Sequence, residues 1–291
     1  MKLLVFDGNS IINRAFYAIK TLTTRAGEPT NALHGFLKLY LKYFEMSKPD
    51  MVAVAFDVRA KTFRHHMYAE YKAQRKGMPD ELAMQMEPLK DILRAMNVRI
   101  FEKEGFEADD IIGTLSQYCT EKGYMCDIVS GDRDDFQLVN DLVKVIMPVT
   151  KGGMSEVEIY DKDAIIEKYG FEPEGIIDLK AIMGDSSDNI KGVAGIGEKG
   201  ATELIKQYGT IENLYDHLEQ DSFKPATYKK LTEGKDSAFL SKVLATIKKD
   251  IDIDIKDDEL IVKDYNEEEL SALLERYELT SVLKQMDIKE L

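Results

Sequence analysis

The sequence is short of three things. It has two cysteines, Cys119 and Cys126, with no Cys-x-x-Cys pair and no histidine cluster beside them. That argues against a disulfide framework or a zinc site, and it points to reduced, buried thiols in a cytoplasmic protein. It has no apolar run approaching the roughly 18 residues that a membrane helix needs, so no span is expected. The opening stretch, Met1-Lys2-Leu3-Leu4-Val5-Phe6, is too short for a signal peptide and runs straight into charged, strand-like sequence. Positive charge is also scarce: 39 Lys and Arg against 53 Asp and Glu leave a net charge of −14. Over the whole chain that argues against nucleic acid, whose usual partner surface is basic.

Two features weaken this last objection. The stretch 248–291 holds 14 acidic and 7 basic residues, half of the net charge. Many of the other acids fall in clusters that read as metal ligands, where a bound divalent cation reverses the local sign. The 291 residues, 44% hydrophobic and 32% charged, are enough for one large α/β domain or a domain plus an appendage.

Short apolar runs at 2–6, 51–56, 98–101, 126–130 and 144–147 read as buried strands. Between most of them the spacing is helical, as with Leu33, Phe36, Leu37, Tyr40, Leu41 and Phe44. This predicts an α/β fold with a central, mostly parallel sheet and helices on both faces over 1–160. From 161 to 249 the pattern is helical; 250–291 is an acidic tail in which strict alternation over 250–255 predicts an edge strand before a short helical end. There are no internal repeats and no low-complexity linker.

Placed on this skeleton, the acids fall together. Asp7 and Asp57 follow strands, Asp132 and Asp134 follow another, and Glu107, Asp109 and Asp110 open a helix. In open α/β sheets, ligands bind beyond the carboxyl ends of the strands. Carboxylates converging there repel one another unless divalent cations intervene, and all-carboxylate ligation favours Mg2+ or Mn2+ over zinc. Each motif also has a plainer reading: acids in a first helical turn complement the helix dipole, and an Asp after a strand is commonly a turn residue or cap. The repetition at several strand ends is the specific signal.

A second block pairs Asp185 and Asp188 with the turn Lys191-Gly192-Val193-Ala194-Gly195-Ile196-Gly197 ahead of a helix. Its glycines allow backbone to approach a phosphate, and a helix N-terminus favours the anion. Exposed carbonyls there can hold a monovalent cation such as K+. Gly-rich turns also simply join helices. Between Val58 and Lys76, six Lys or Arg face one acid, Glu70, with Phe63, Tyr68 and Tyr71 interleaved. That composition suits a flexible single strand, although a solvated charged helix has the same look. A helix here would put Tyr68, Lys72 and Arg75 on one face.

The blocks Phe6-Asp7-Gly8-Asn9-Ser10, Phe56-Asp57, Phe63-Arg64-His65, Tyr71-Lys72-Ala73-Gln74-Arg75, Glu107-Ala108-Asp109-Asp110, Ser130-Gly131-Asp132-Arg133-Asp134 and Gly184-Asp185-Ser186-Ser187-Asp188-Asn189 resemble those of the 5′ nuclease (flap endonuclease) superfamily, most of all the N-terminal 5′–3′ exonuclease domain of bacterial DNA polymerase I. Leu244-Ala245-Thr246-Ile247-Lys248 and Leu273-Leu274-Glu275-Arg276-Tyr277-Glu278 carry the similarity nearly to the C-terminus.

The resemblance implies a helical arch, about 58–97, over the active site, and a helix–three-turn–helix that grips duplex DNA. It implies two or more metal ions, one held by Asp7, Asp57, Glu107, Asp109 and Asp110, another near Asp132, Asp134, Asp185 and Asp188. It implies that Lys72 and Arg75 contact the scissile phosphate, that Tyr71 stacks on a base, and that Arg14 and Arg64 bind phosphates nearby. The duplex contacts carried over are Gly192, Val193, Gly195, Ile196, Gly197 and Lys199. The implied partner is DNA with a 5′ flap, a nick or a single-stranded 5′ end, or an RNA primer on DNA, met by a monomer without a membrane. Lys191 and Ala194 stand where proline is usual, Gly200 where threonine is, and Asp135 at a commonly apolar position. A small-molecule phosphohydrolase is the rival enzyme class, but it calls for an Asp-x-Asp pair, and Asn9 stands in the second place. A non-catalytic DNA-binding relative would lack some of the acids, and none is missing. The chain ends about where a polymerase I nuclease domain would hand over to the next domain.

Overall fold

The apolar runs become strands because they are rich in Val, Ile and Leu and are buried on both faces, the environment of a covered parallel sheet. In the computed structural model, which describes residues 1–152 and 154–287, the strands are β1 (Lys2–Asp7), β2 (Met51–Ala55), β3 (Arg99–Phe101), β4 (Met125–Val129), β5 (Val143–Lys151) and β6 (Met154–Tyr160). They form one sheet in the order β3-β2-β1-β4-β5-β6, the first five parallel and β6 antiparallel to β5. The apolar-run pattern missed β6, a sheet-edge strand interrupted by Glu156 and Glu158. The chain builds outward from β1 to β3, then crosses to the other side of β1 for β4. The crevice of such a fold opens at that switch point, beyond the carboxyl ends of β1 and β4.

The helices are α1 (Gly8–Ala18), α2 (Asn31–Ser47), α3 (Phe63–Met67), α4 (Asp80–Ala95), α5 (Ala108–Lys122), α6 (Lys162–Tyr169), α7 (Gly175–Met183), α8 (Glu198–Tyr208), α9 (Ile211–Asp216), α10 (Pro225–Ala245), α11 (Asp257–Leu260), α12 (Glu267–Arg276) and α13 (Thr280–Gln285). Strand alternation divides them between two cores. Leu4, Phe6, Val52 and Val54 pack with α1, α2, α4, α12 and α13. Leu3, Val5, Ala53 and Ile128 pack with α5 and with the helical region that follows β6.

Two local expectations need correction. Over 250–255 there is no strand. The alternation buries Ile251 and packs Ile253 and Ile255 against the α5-side core, but the backbone has no ladder partner, and Ile251 N–H donates to the Thr114 hydroxyl (3.2 Å). Period two reports extended chain on an apolar surface, not pairing. Of the tail, 288–291 lie outside the described residues. The stretch 68–76 is not helical either. It is a series of turns in which Lys72 takes a left-handed conformation (φ +54°), and Lys72 N–H donates to the Asp188 carbonyl (2.9 Å). The region 58–97 is therefore a short α3, this turn and α4.

Candidate active site

The switch point is laced by short polar contacts that aim acids into it. Asp7 ends β1 and caps α1, accepting from Ser10 N–H (2.9 Å) and from the Ser130 hydroxyl (3.2 Å). Asn9 accepts from Asp57 N–H (2.8 Å), which fixes the end of β2 beside that of β1. Asp57 in turn accepts from Ala108 N–H (2.7 Å) at the start of α5. Glu107 caps that helix, Asp109 lies in its first turn, Asp132 lies in the loop after β4, and Asp188 in the loop after α7. Asp7, Asp57, Glu107, Asp109, Asp132 and Asp188 line one cleft of about 500 Å³ together with Lys72 and Arg75.

The cations pair with two of these acids. Lys72 Nζ lies 2.6 Å from Glu107 Oε1 and 3.7 Å from Asp188 Oδ2, and Arg75 is bonded to Asp188 Oδ1. Tyr71 is 3% exposed. Its hydroxyl donates to Glu107 (3.0 Å) or to Asp188 (3.1 Å), and its ring packs with Ile190, Leu244 and Ala245. That burial corrects the stacking expectation: the ring is already covered by protein.

Three of the nine anticipated ligands stand outside the cleft. Asp110 is fully buried, and both its oxygens are taken. Arg64 grips it with two bonds (2.7 and 2.8 Å), while Glu107 N–H (3.1 Å) and Lys248 N–H (2.9 Å) complete the set. Arg64 is 2% exposed and also donates to Glu107 and to the Leu244 and Thr246 carbonyls. The structure thus places Asp110 and Arg64 together as an internal strut rather than in the cleft. Asp134 and Asp185 line an adjoining cleft with Asp132, and Lys180 Nζ bridges them, bonded to Asp134 and 2.6 Å from Asp185. Arg14 reaches Thr150 on β5 (2.8 Å) rather than the cleft.

Burial pushes the Asp7 carboxyl up to about 7, helped by the charges of Asp57 and Asp132 and opposed by the Ser10 and Ser130 donors. Burial also raises Asp109, with Asp135 and Asp7 adding to it. Asp185 goes the other way: against its own burial, the Lys180 ammonium and the Ser187 donors hold it down to about 2. Around Asp7 and Asp109 the main cleft is thus short of positive charge, because Lys72 and Arg75 pair with Glu107 and Asp188, whereas the adjoining cleft has Lys180 between its acids. A divalent cation fits that deficit, because the donors are all hard oxygens and the buried Asp135 carboxylate, beside Asp7 and Asp109, has no hydrogen-bond partner. Sequence reasoning missed Asn9 as a positioning group, Lys180 and Asp135. Only Asp135 left a trace, as an extra acid at a position read as apolar.

The Gly-rich turn is partly internal. Gly192 has φ +60°, and a Cβ there would lie 2.3 Å from Gly184 N, so only glycine fits. Its N–H and carbonyl are held by Ser241 (3.0 Å) and Ser237 (2.6 Å). Val193 and Ile196 are core side chains. Gly192, Val193 and Ile196 are thus buried, while Gly195, Gly197 and Lys199 are exposed. No side chain caps the N-terminus of α8. The Gly195 carbonyl, at a position where K+ was expected, accepts from Lys230 Nζ (2.9 Å).

A mostly parallel sheet with a carboxylate-lined crevice at its switch point, and with Lys72 and Arg75 in the same cleft, suits metal-assisted chemistry on a phosphate ester. Residues 2–170 match the 5′-3′ exonuclease N-terminal resolvase-like domain, and 171–268 the 5′-3′ exonuclease C-terminal SAM fold. The chain is 36% identical over 287 residues to a 5′-3′ exonuclease of Aquifex aeolicus, covering 98% of this chain and 95% of that one. It is 45% identical over 290 residues to DNA polymerase I of Caldicellulosiruptor bescii, covering 100% of this chain and 34% of the polymerase. It therefore spans about a third of the length of that relative. Among solved structures, the bacteriophage T5 flap endonuclease in a complex with DNA and metal ions shares the fold (TM-score 0.68, 20% identity, 99% of each chain covered). So does the catalytic core of Rad2 in complex with DNA substrate (TM-score 0.64, 14% identity, covering 98% and 92%). The chain belongs to the 5′–3′ exonuclease family.

Proposed function

We propose that this member of the family hydrolyses phosphodiester bonds near the 5′ ends of nicked or flapped DNA, with Mg2+ or Mn2+ as its working ion, as a cytoplasmic monomer in primer removal and repair. The observation that carries the reading is one cleft in which six carboxylates face Lys72 and Arg75. Bound to such acids, divalent ions would supply a nucleophile from water at neutral pH and offset charge on the attacking and leaving oxygens. Asp7, Asp57, Asp109 and Asp132 are the residues to hold them. Lys72 and Arg75 place fixed positive charge at the mouth, where a phosphate enters and where charge grows in the transition state. The basic run between Val58 and Lys76 suits the single-stranded 5′ end, and the uncapped end of α8 with Lys199 suits duplex phosphates.

The phosphohydrolase rival is disfavoured by Asn9, whose carbonyl oxygen holds Asp57 N–H (2.8 Å) and which has no acid to offer a leaving group. The test is incubation with a 5′-flap DNA and with p-nitrophenyl phosphate, each with Mg2+ and with chelator. Metal-dependent cleavage of the flap alone is expected. Turnover of the phosphomonoester with an intact flap would overturn the reading.

A further inference from the structure

Beyond the nine anticipated acids there is a tenth. Asp135 lies in the 3₁₀ turn Asp134–Leu138 after β4, and its neighbours Phe136, Gln137 and Leu138 are all buried. It is itself completely buried, and neither carboxylate oxygen meets a donor. The Ser130 hydroxyl is near enough to both acids to lower each, but its hydrogen bond goes to Asp7 (3.2 Å). An acid kept inside a protein for structural reasons is normally hydrogen-bonded or ion-paired, as Asp110 and Asp178 are here. Asp135 has neither kind of partner.

What it does have is direction. One oxygen each from Asp7, Asp109 and Asp135 lie within 4.8 Å of one another. Among the described residues none of the three carboxylates forms an ion pair, although Lys72 and Arg75 stand in the same cleft and pair with Glu107 and Asp188. Oxygens at about 2.1 Å from a six-coordinate cation sit roughly 3 Å apart when adjacent and 4.2 Å apart when opposite. The triangle is thus of the size that an ion would occupy after small side-chain shifts. Its inner side is closed by the protein core, through Asp135, and its outer side is the open cleft.

We propose that Asp135 is a further direct ligand of the ion held by Asp7 and Asp109, on the side away from the substrate, so that this chain holds one divalent cation tightly before DNA arrives. The proposal rests on the metal reading of Asp7 and Asp109 above. A third carboxylate adds one negative charge inside the coordination sphere, in a place that water does not reach. The same charge strains the metal-free protein, because two buried acids and a half-buried one repel with nothing between them.

The test is Mn2+ titration of the metal-stripped protein by calorimetry, with electron paramagnetic resonance to count bound ions and with thermal melts in chelator and in Mn2+. The variants are Asp135→Asn, Asp135→Leu and, as reference, Asp109→Asn. One Mn2+ should bind the wild type more tightly than any other. Both Asp135 variants should weaken that ion at least tenfold, the scale on which outer partners of a metal site already act. They should also melt higher than wild type in chelator and gain less from Mn2+. Should Asp135→Leu not fold, Asp135→Asn, of the same shape, decides alone. Binding by the Asp135 variants within twofold of wild type, with loss of the ion in Asp109→Asn, would overturn this proposal and leave the metal reading standing. A wild type with no saturable Mn2+ binding would overturn both.

Discussion

Changing Asp110 to Ala should cost the protein stability before it costs chemistry. The carboxylate, itself fully buried, receives two bonds from Arg64 at 2.7 and 2.8 Å and two from backbone N–H groups at 2.9 and 3.1 Å. Alanine removes them together and leaves the guanidinium, 2% exposed, with Glu107 and two carbonyls as its remaining partners. Breaking one side of a buried pair typically costs about 3–5 kcal/mol. For a chain of this size, each kcal/mol moves the melting temperature by roughly 2–4 °C. The expected fall is therefore on the order of 10 °C, measured by circular dichroism in chelator so that metal binding plays no part. Replacing both partners with leucine should recover most of the loss, because the cost lies in the orphaned charge. An Asp110→Ala protein that melts with wild type in chelator but loses its stabilisation by Mn2+ would refute this reasoning and return Asp110 to the metal ligands.

Lys72→Ala should slow single-turnover cleavage of a 5′-flap substrate by roughly 10²-fold, as loss of a preorganised charge contact does, with a much smaller change in Kd at the same salt. Normal cleavage of the bound substrate would show that Lys72 only docks DNA. Lys180→Met leaves Asp134 and Asp185 facing each other without the ammonium between them, so the melting temperature should fall in chelator and recover in Mn2+; an unchanged melt in chelator counts against the bridge. Gly192→Ala places a Cβ 2.3 Å from Gly184 N at φ +60°, and should destabilise by about 3 kcal/mol or more in denaturant unfolding. Lys230→Ala should lower duplex affinity and reduce the slope of log Kd against log salt by about 0.9 if the side chain meets one phosphate; an unchanged slope assigns Lys230 to the Gly195 carbonyl alone.

The sheet was readable because β1, β2 and β4 are mostly apolar and each is followed by an acid at its end or within three residues of it, so composition and position carry the same message. Three acids of the cleft, Asp7, Asp57 and Asp132, follow from that placement; Glu107 and Asp109 come from a helix start and Asp188 from the loop after α7. Legibility failed where a residue's role depends on which partner reaches it. Asp109 and Asp110 are adjacent and alike in sequence, yet one lines the cleft and the other lies under Arg64. Helical periodicity puts them on different sides of α5, but it does not say that Arg64 from α3 will cover one of them. Tyr71 carries the composition of a nucleic-acid contact, but whether its ring is free depends on Leu244 and Ala245, far away in the chain. Over 250–255 the alternation was real and its interpretation was not, because period two is shared by paired strands and by lone extended chain.

The loop after α7 joins the two places where nucleic acid would be handled. Its ends are clasped by paired backbone bonds between Asp185 and Ile190, both 2.8 Å. Its middle accepts Lys72 N–H at Asp188 and reaches the Glu70 carbonyl through Asn189 (2.7 Å). Just beyond the clasp, Gly192 is pinned to α10 by Ser237 and Ser241. The step from the Gly192 turn to the acids of the cleft is therefore short, covalent and braced at both ends. Mechanically the loop is a stiff strut: a displacement of the turn is passed on to Asp188 and Lys72 rather than absorbed between them.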